Sequence, residues 1–204
     1  GFTSLADMMN FFQSNGLKVV CWMAPFVNVK SNDEKVAGQN LGHAANYAEG
    51  AAKGFFVRAA PHGPPLVVPG WKGNGSPVDF TNPGAHDWLQ GQLKTLLRES
   101  QVTTAAGPAE PAIGGFKTDD GESGNGANTY IPVSAAYADG RIGLEMQNGY
   151  CLEYHKAVWN VLGTAGLLFA RSGFAGSHAF PGYWAGDNEP NFGANGLPGV
   201  IVAG

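Results

Sequence analysis

Leu5, Met8, Met9 and Phe12 recur at helical spacing, with Ser4 placed to cap the segment and Asn15-Gly16 placed to stop it. Residues 17–23 (Leu-Lys-Val-Val-Cys-Trp-Met) are almost continuously apolar, which predicts a buried parallel strand. From about 28 to 80 the chain is rich in Gly, Pro and Asn, and it reads as a long loop insertion with short pieces of structure. Asn82-Pro83 then opens a helix, with Leu89, Leu93, Leu96 and Leu97 as its apolar face. Further strands are predicted at 113–118, 166–170, 182–185 and 199–203, and a longer helix at about 143–162.

Several of these strands run straight into polar or charged residues: Asp119 after 113–118, Arg171 after 166–170, Asp187 after 182–185. An α/β rhythm with charged strand ends fits a (β/α)8 barrel, in which those ends gather on one face. A doubly wound sheet would also gather them at one edge, but no GxGxxG follows a strand here.

Composition narrows the partners. Apolar residues make up 44% and charged residues 14% of the 204, a globular balance. With a formal net charge of -4 and no basic stripe, nucleic acid is excluded as a partner. No stretch is apolar for long enough to span a membrane. Cys21 and Cys151 form no metal motif and specify neither a disulfide nor a compartment. The chain opens directly into a helix without Met and closes just after an apolar run, so it reads as a piece cut at both ends from a longer protein.

Two carboxylates at the same face can cleave a glycosidic bond, one donating a proton and the other attacking carbon or activating water. Asp119 and Asp187 are the candidates. The same Asp-Asp-Gly-Glu and Gly-Asp-Asn-Glu stretches also suit ordinary turns or oxygen ligands for calcium. Arg171 can bind substrate or form a structural ion pair. Trp22, Trp184, Tyr183 and Phe116 can stack on sugar rings or simply pack. The five histidines show no metal spacing; His86 and His155 read as surface or packing residues, and His178 as a possible pocket residue. Asn74-Gly75-Ser76 is a glycosylation sequon, and Trp71 is assigned to packing.

Five ordered segments together resemble glycoside hydrolase family 31. They are residues 16–26 with Trp22 and Pro25-Phe26, the stretch Val78-Asp79-Phe80-Thr81-Asn82-Pro83, the stretch Gly115-Phe116-Lys117-Thr118-Asp119-Asp120-Gly121-Glu122, Phe169-Ala170-Arg171-Ser172, and Trp184-Ala185-Gly186-Asp187. The resemblance implies a partial (β/α)8 TIM barrel, roughly strands 3 to 7, in which residues 1–204 are the central part of one catalytic domain. The remaining strands and the flanking β-domains would lie elsewhere in a parent chain, and the fragment alone would be inactive. It also implies a retaining α-glycosidase acting on α-linked glucosides or related sugars, with Asp119 as nucleophile and Asp187 as acid/base. Trp22, Lys117, Arg171 and Trp184 would contact the sugar, and no metal or organic cofactor would be required. Asp120 departs from the apolar or aromatic residue common after the nucleophile. A second carboxylate there implies a bond to a substrate hydroxyl or a pairing with Lys117 or Arg171. An α-glucosyltransferase would use the same residues, and a non-catalytic carbohydrate-binding module would use only the tryptophans.

Overall fold

The computed structural model describes residues 1–31, 42–70, 73–104, 107–122 and 131–203. The first helix, α1 (Leu5–Ser14), starts where Ser4 Oγ accepts from the Asp7 amide at 3.1 Å, and it gives way to β1 (Val19–Met23). Next come β2 (Phe26–Ser31), α2 (Tyr47–Ala52), β3 (Val68–Gly70) and β4 (Gly73–Pro77). Helix α3 (Pro83–Glu99) begins with Asn82 Oδ1 accepting from the Gly84 amide at 2.9 Å. A hairpin of β5 (Gln101–Thr104) and β6 (Gly107–Pro111) leads into β7 (Ile113–Thr118). Helices α4 (Gly143–Met146) and α5 (Gly149–Leu162), strand β8 (Leu167–Ala170) and helix α6 (Leu197–Ala203) complete the order.

The sheet that matters for chemistry is β1-β7-β8, parallel throughout with β7 in the centre. Its register places Trp22 beside Lys117 and Lys117 beside Phe169, so three large side chains form one row across the strands. Because side chains alternate along a strand, the opposite face carries Phe116, Thr118, Leu168 and Ala170, all 1% exposed or less. That face packs on α5, where Tyr150, Tyr154, Ala157 and Val158 are fully buried. Helix α3 adds Leu93 and half-buried Leu89, Leu96 and Leu97, the stripe its spacing predicts. Phe80 stacks on Tyr154 at 5.5 Å and tilts against Tyr150 at the same distance. Both phenols are satisfied by backbone carbonyls, Tyr150 donating to Val78 at 3.1 Å and Tyr154 to Met23 at 3.2 Å.

Four expectations are corrected. The first strand is not buried on both sides: Val20 and Trp22 are 40% and 48% exposed, because the row they occupy has no facing layer among the described residues. Residues 197–203 form helix α6, not a strand. A five-residue apolar run has no period that separates strand from helix, and here the Val200 amide bonds back to the Gly196 carbonyl at 3.1 Å. The expected helix over 143–162 is broken at Gln147-Asn148 into α4 and α5. The segment expected as a strand over 182–185 makes a single parallel bridge, Tyr183 to Ala170. The long loop insertion carries more order than its composition suggests, since β2, β4 and β3 form an antiparallel sheet. Its glycosylation sequon lies within β4, with Ser76 fully buried and bonded to the Tyr47 hydroxyl at 3.0 Å. Trp71 lies outside the described residues. Among those residues the strands form one parallel and two antiparallel sheets and no closed barrel.

Candidate active site

Asp119, Arg171 and Asp187 come together at the C-terminal ends of the parallel strands, as their positions after apolar runs predict. The Asp119 amide continues the ladder, donating to the Met23 carbonyl at 2.9 Å, and the Arg171 amide does the same to Thr118 at 3.3 Å. Beyond Asp119 the chain turns sharply. Asp120 takes the left-handed φ of +56°, which Asp tolerates better than most residues. Its amide donates to Asp119 Oδ1 at 2.9 Å. At Gly121, φ is +94°, and a Cβ would stand 2.7 Å from Ser172 Oγ and 3.2 Å from the Tyr154 ring, so both space and backbone require glycine.

Asp119 is held at both oxygens. Oδ2 accepts from Trp22 Nε1 at 2.6 Å and lies 3.5 Å from Lys117 Nζ, while Oδ1 lies 2.9 Å from Arg171 Nη1. Burial by itself raises the pKa of this carboxyl. The Trp22 N–H, the Asp120 amide and the charges of Arg171 and Lys117 outweigh it, and the net shift is downward. Asp119 is thus kept ionised, the form a nucleophile needs.

Arg171 is the hub. Besides Asp119 it reaches Asp120 Oδ1 from Nη2 at 2.6 Å, and it grips Glu122 with Nε at 2.9 Å and Nη2 at 3.1 Å. Such two-point pairing fixes the plane of the guanidinium. Hydrogen bonding to Glu122 leads the causes that raise the Arg171 pKa above its ordinary value. Nη1 also lies 3.9 Å from Asp187 Oδ2, so one nitrogen stands between the two candidate carboxylates. Asp187 itself opens to solvent, with its side chain 83% exposed. Trp184 faces Lys117, whose Nζ sits 4.4 Å from the ring centroid, and Phe169 stacks on the same indole with ring centroids 5.0 Å apart.

Asp120 pairs with Arg171, one of the partners its position suggested. The residue is 2% exposed, and burial raises its pKa even though Arg171 pulls it down. Its Oδ2 is buried with no hydrogen-bond partner among the described residues. Among the described residues no group of three or more His, Cys, Asp or Glu is arranged to hold a metal ion.

Three contributors escape single-residue reasoning. Glu122 stands in the Asp-Asp-Gly-Glu turn and supplies the two-point grip on Arg171; its signal is a carboxylate three residues after Asp119. Phe169 belongs to an apolar run that gives no hint of its stacking role. His155 is fully buried beside Ser172, its Nε2 3.5 Å from Ser172 Oγ, directly behind the Gly121 turn. His178, by contrast, is exposed on a short 3-10 turn. The Asp79 stretch is structural: Asp79 Oδ1 accepts from the Thr81 hydroxyl at 2.6 Å and Oδ2 from the Ala138 amide at 2.7 Å, tying two loops together.

Residues 1–195 match the family described as the glycosyl hydrolases family 31 TIM-barrel domain. The chain belongs to glycosyl hydrolase family 31. Among its family 31 relatives, it is 32% identical to the isomaltosyltransferase of Sporosarcina globispora over 95% of its own length and 16% of the relative's. It is 30% identical to the alpha-xylosidase of Emericella nidulans over 94% of its length and 21% of the relative's. In structure it resembles the cycloalternan-degrading enzyme of Trueperella pyogenes, with a TM-score of 0.71 at 28% identity, covering 98% of this chain and 26% of that one. The family 31 segment described here therefore spans about a fifth of the length of the curated relatives it matches.

Proposed function

We propose that this segment is the catalytic centre of a retaining α-glycosidase acting on α-linked glucosides or related sugars, and that it corresponds to roughly strands 3 to 7 of the parent barrel. The observation that carries the reading is Arg171 Nη1, which stands 2.9 Å from Asp119 and 3.9 Å from Asp187. Those two distances together bound the carboxylate separation, and the bound accommodates the roughly 5 Å of a retaining pair.

In the first step an Asp119 oxygen attacks the anomeric carbon, the glycosidic C–O bond breaks, and the Asp187 proton passes to the departing oxygen. In the second, water gives a proton to Asp187 as its oxygen displaces Asp119, restoring the free carboxylate and releasing an α-configured product. Trp22, Lys117 and Arg171 hold Asp119 in line; they and Trp184 frame the sugar. Asp120 contributes by fixing Arg171. The sugar-binding face also needs neighbouring strands and domains of the parent protein, so the isolated segment lacks turnover.

The test is Asp119→Ala in the intact parent. Turnover should vanish, and azide should restore part of it as a β-configured glycosyl azide. Near-native hydrolysis by Asp119→Ala without azide would sink the assignment. A second reading, glucosyl transfer to a sugar hydroxyl in place of water, draws support from the similarity to an isomaltosyltransferase. Products formed with and without an added acceptor sugar distinguish the two.

A further inference from the structure

Asp119 hangs from the last rung of a ladder. Strands β1 and β7 pair as far as Met23 and Thr118, and beyond that pair the Asp119 amide donates to the Met23 carbonyl at 2.9 Å. Pro25, just beyond on the other strand, has no N–H with which to continue the ladder. Terminal rungs open at little cost unless something packs on them. Here the Tyr154 hydroxyl donates to the same Met23 carbonyl at 3.2 Å, so both lone pairs of that oxygen are engaged. We propose that Tyr154 is a positioning residue for the nucleophile: it touches no substrate, and it acts by fixing the carbonyl from which Asp119 is suspended. This inference rests on the glycosidase reading and extends the machinery from the sugar-facing side of the sheet to the helix behind it.

The surroundings of Tyr154 leave it no other place to be. The residue is fully buried, and its ring stacks on Phe80 with an interplanar angle of 26°. The ring also backs the turn after Asp119, since a methyl group at Gly121 would come within 3.2 Å of it. One side chain therefore touches the backbone on both sides of the nucleophile, at the carbonyl that holds its amide and at the glycine two residues on. The hydroxyl stays protonated and able to donate: burial raises its pKa well above the ordinary phenol value, and Asp120, Asp119 and Glu122 add to the rise. The next residue, His155, continues the support. Its Nε2 lies 3.5 Å from Ser172 Oγ, the atom that a methyl group at Gly121 would meet at 2.7 Å. Ser172 follows Arg171, so two consecutive residues of α5 back the two strand ends whose side chains pair in the site.

Tyr150, about one turn earlier on α5, is matched in all but the recipient. It too is fully buried, and its hydroxyl donates to a backbone carbonyl, that of Val78, at 3.1 Å. Val78 belongs to the stretch before Asp79 and not to the β1-β7-β8 sheet. Removing either hydroxyl takes one buried hydrogen bond from the fold, but only the loss at Tyr154 loosens the rung that carries Asp119. Attack requires the reacting atoms about 3–3.5 Å apart and aligned, and a misplacement of about 1 Å can slow a reaction about 100-fold. Rocking of that rung is therefore felt in kcat, not in sugar binding.

The experiment uses the intact parent enzyme and an aryl α-glycoside. Tyr154→Phe keeps the packed ring, and the Met23 carbonyl keeps the Asp119 amide, so no buried backbone group is orphaned. Its kcat should fall about five- to tenfold, the effect of one hydrogen bond, with KM changed less than twofold. Tyr150→Phe should lose a similar amount of melting temperature and keep kcat within twofold of native. The deciding arm repeats Tyr154→Phe in Asp119→Ala supplied with azide, which attacks in place of the carboxylate. There the substitution should change the azide-dependent rate less than twofold, because the group it positions is gone. Equal kcat losses in the two tyrosine variants, an unchanged kcat in Tyr154→Phe, or a loss that persists in the azide reaction would each overturn the positioning role and leave the glycosidase reading standing. Near-native hydrolysis by Asp119→Ala without azide would overturn that reading, and the positioning role with it.

Discussion

Trp22→Phe isolates the hydrogen bond that most directly holds the proposed nucleophile. Phe keeps an aromatic ring on β1 and removes one N–H, leaving Lys117 at 3.5 Å and Arg171 at 2.9 Å from the carboxylate. The lost contact is short, 2.6 Å, and charge-assisted. Hydrogen bonds to charged groups contribute about 1.5–3 kcal/mol, and with the Asp119 side chain only 13% exposed, water has little room to replace the donor. The sign follows from which form is bonded. Trp22 stabilises the ionised carboxyl, so its removal raises the Asp119 pKa, and the acidic limb of the pH profile moves to higher pH. At a pH on that limb, kcat/KM in the intact parent should fall by about 10- to 150-fold, the same free energy at about 1.4 kcal/mol per tenfold. The variant and native curves should converge towards the plateau. Measuring kcat/KM for an aryl α-glycoside across the acidic range tests this directly. An acidic limb that coincides with the native one would refute the claim that Trp22 keeps Asp119 ionised; a uniform drop at every pH would instead assign Trp22 to sugar stacking alone.

Asp187→Ala should slow substrates with poor leaving groups far more than activated aryl glycosides, and equal losses on both would rule out Asp187 as the proton donor. His155 has its pKa lowered to about 4 by burial. The unfolded chain therefore binds a proton that the folded one does not between about 6.5 and 4, so this stability is complete above the upper value and lost as pH falls towards the lower, on the order of 3 kcal/mol. His155→Leu should flatten the melting temperature against pH across that window, and an unchanged slope would refute the buried neutral imidazole. The 204 residues expressed alone should give no turnover on aryl α-glycosides, because Val20, Trp22 and Leu167, each at least 40% exposed, leave the sugar-facing side of the sheet uncovered; a cooperatively melting monomer that hydrolyses them would defeat this.

The legible parts of the molecule are those where one local rule decides. Ser4 and Asn82 cap helices because their side chains reach the first free amides, and both positions follow from sequence alone. Apolar runs ending in Asp119 and Arg171 mark strand ends because a buried run must terminate where charge begins. What failed was decided by partners distant in the chain. Val200-Ile201-Val202 has the composition of a strand, but a strand needs a neighbour, and these residues close helical bonds instead. The Gly-rich stretch Gly73–Pro77 has almost no strand propensity and is nevertheless the centre of a sheet, because β2 and β3 pair with it on both sides. The partners of Glu122 and His155 could not be read for the same reason: they are Arg171 and Ser172, 49 and 17 residues away.

Charge balance around Arg171 explains why the departure at Asp120 is tolerable. Lys117 and Arg171 bring two positive charges to a site that also holds Asp119, Asp120, Glu122 and Asp187. With every carboxyl ionised, negative charge is in excess, and like charges at these distances repel. The excess is relieved where ionisation is already least favourable, at Asp120, whose burial raises its pKa. Asp119 is spared because it alone receives the Trp22 N–H and the Asp120 amide in addition to both cations. Neighbouring carboxylates in unlike environments thus separate into Asp119, kept charged, and Asp120, shifted towards its neutral form. An aromatic residue at position 120 would remove one of the two excess negative charges, but it would also release Arg171 Nη2 from a 2.6 Å contact and leave Glu122 and Asp119 to hold the guanidinium that faces both catalytic candidates.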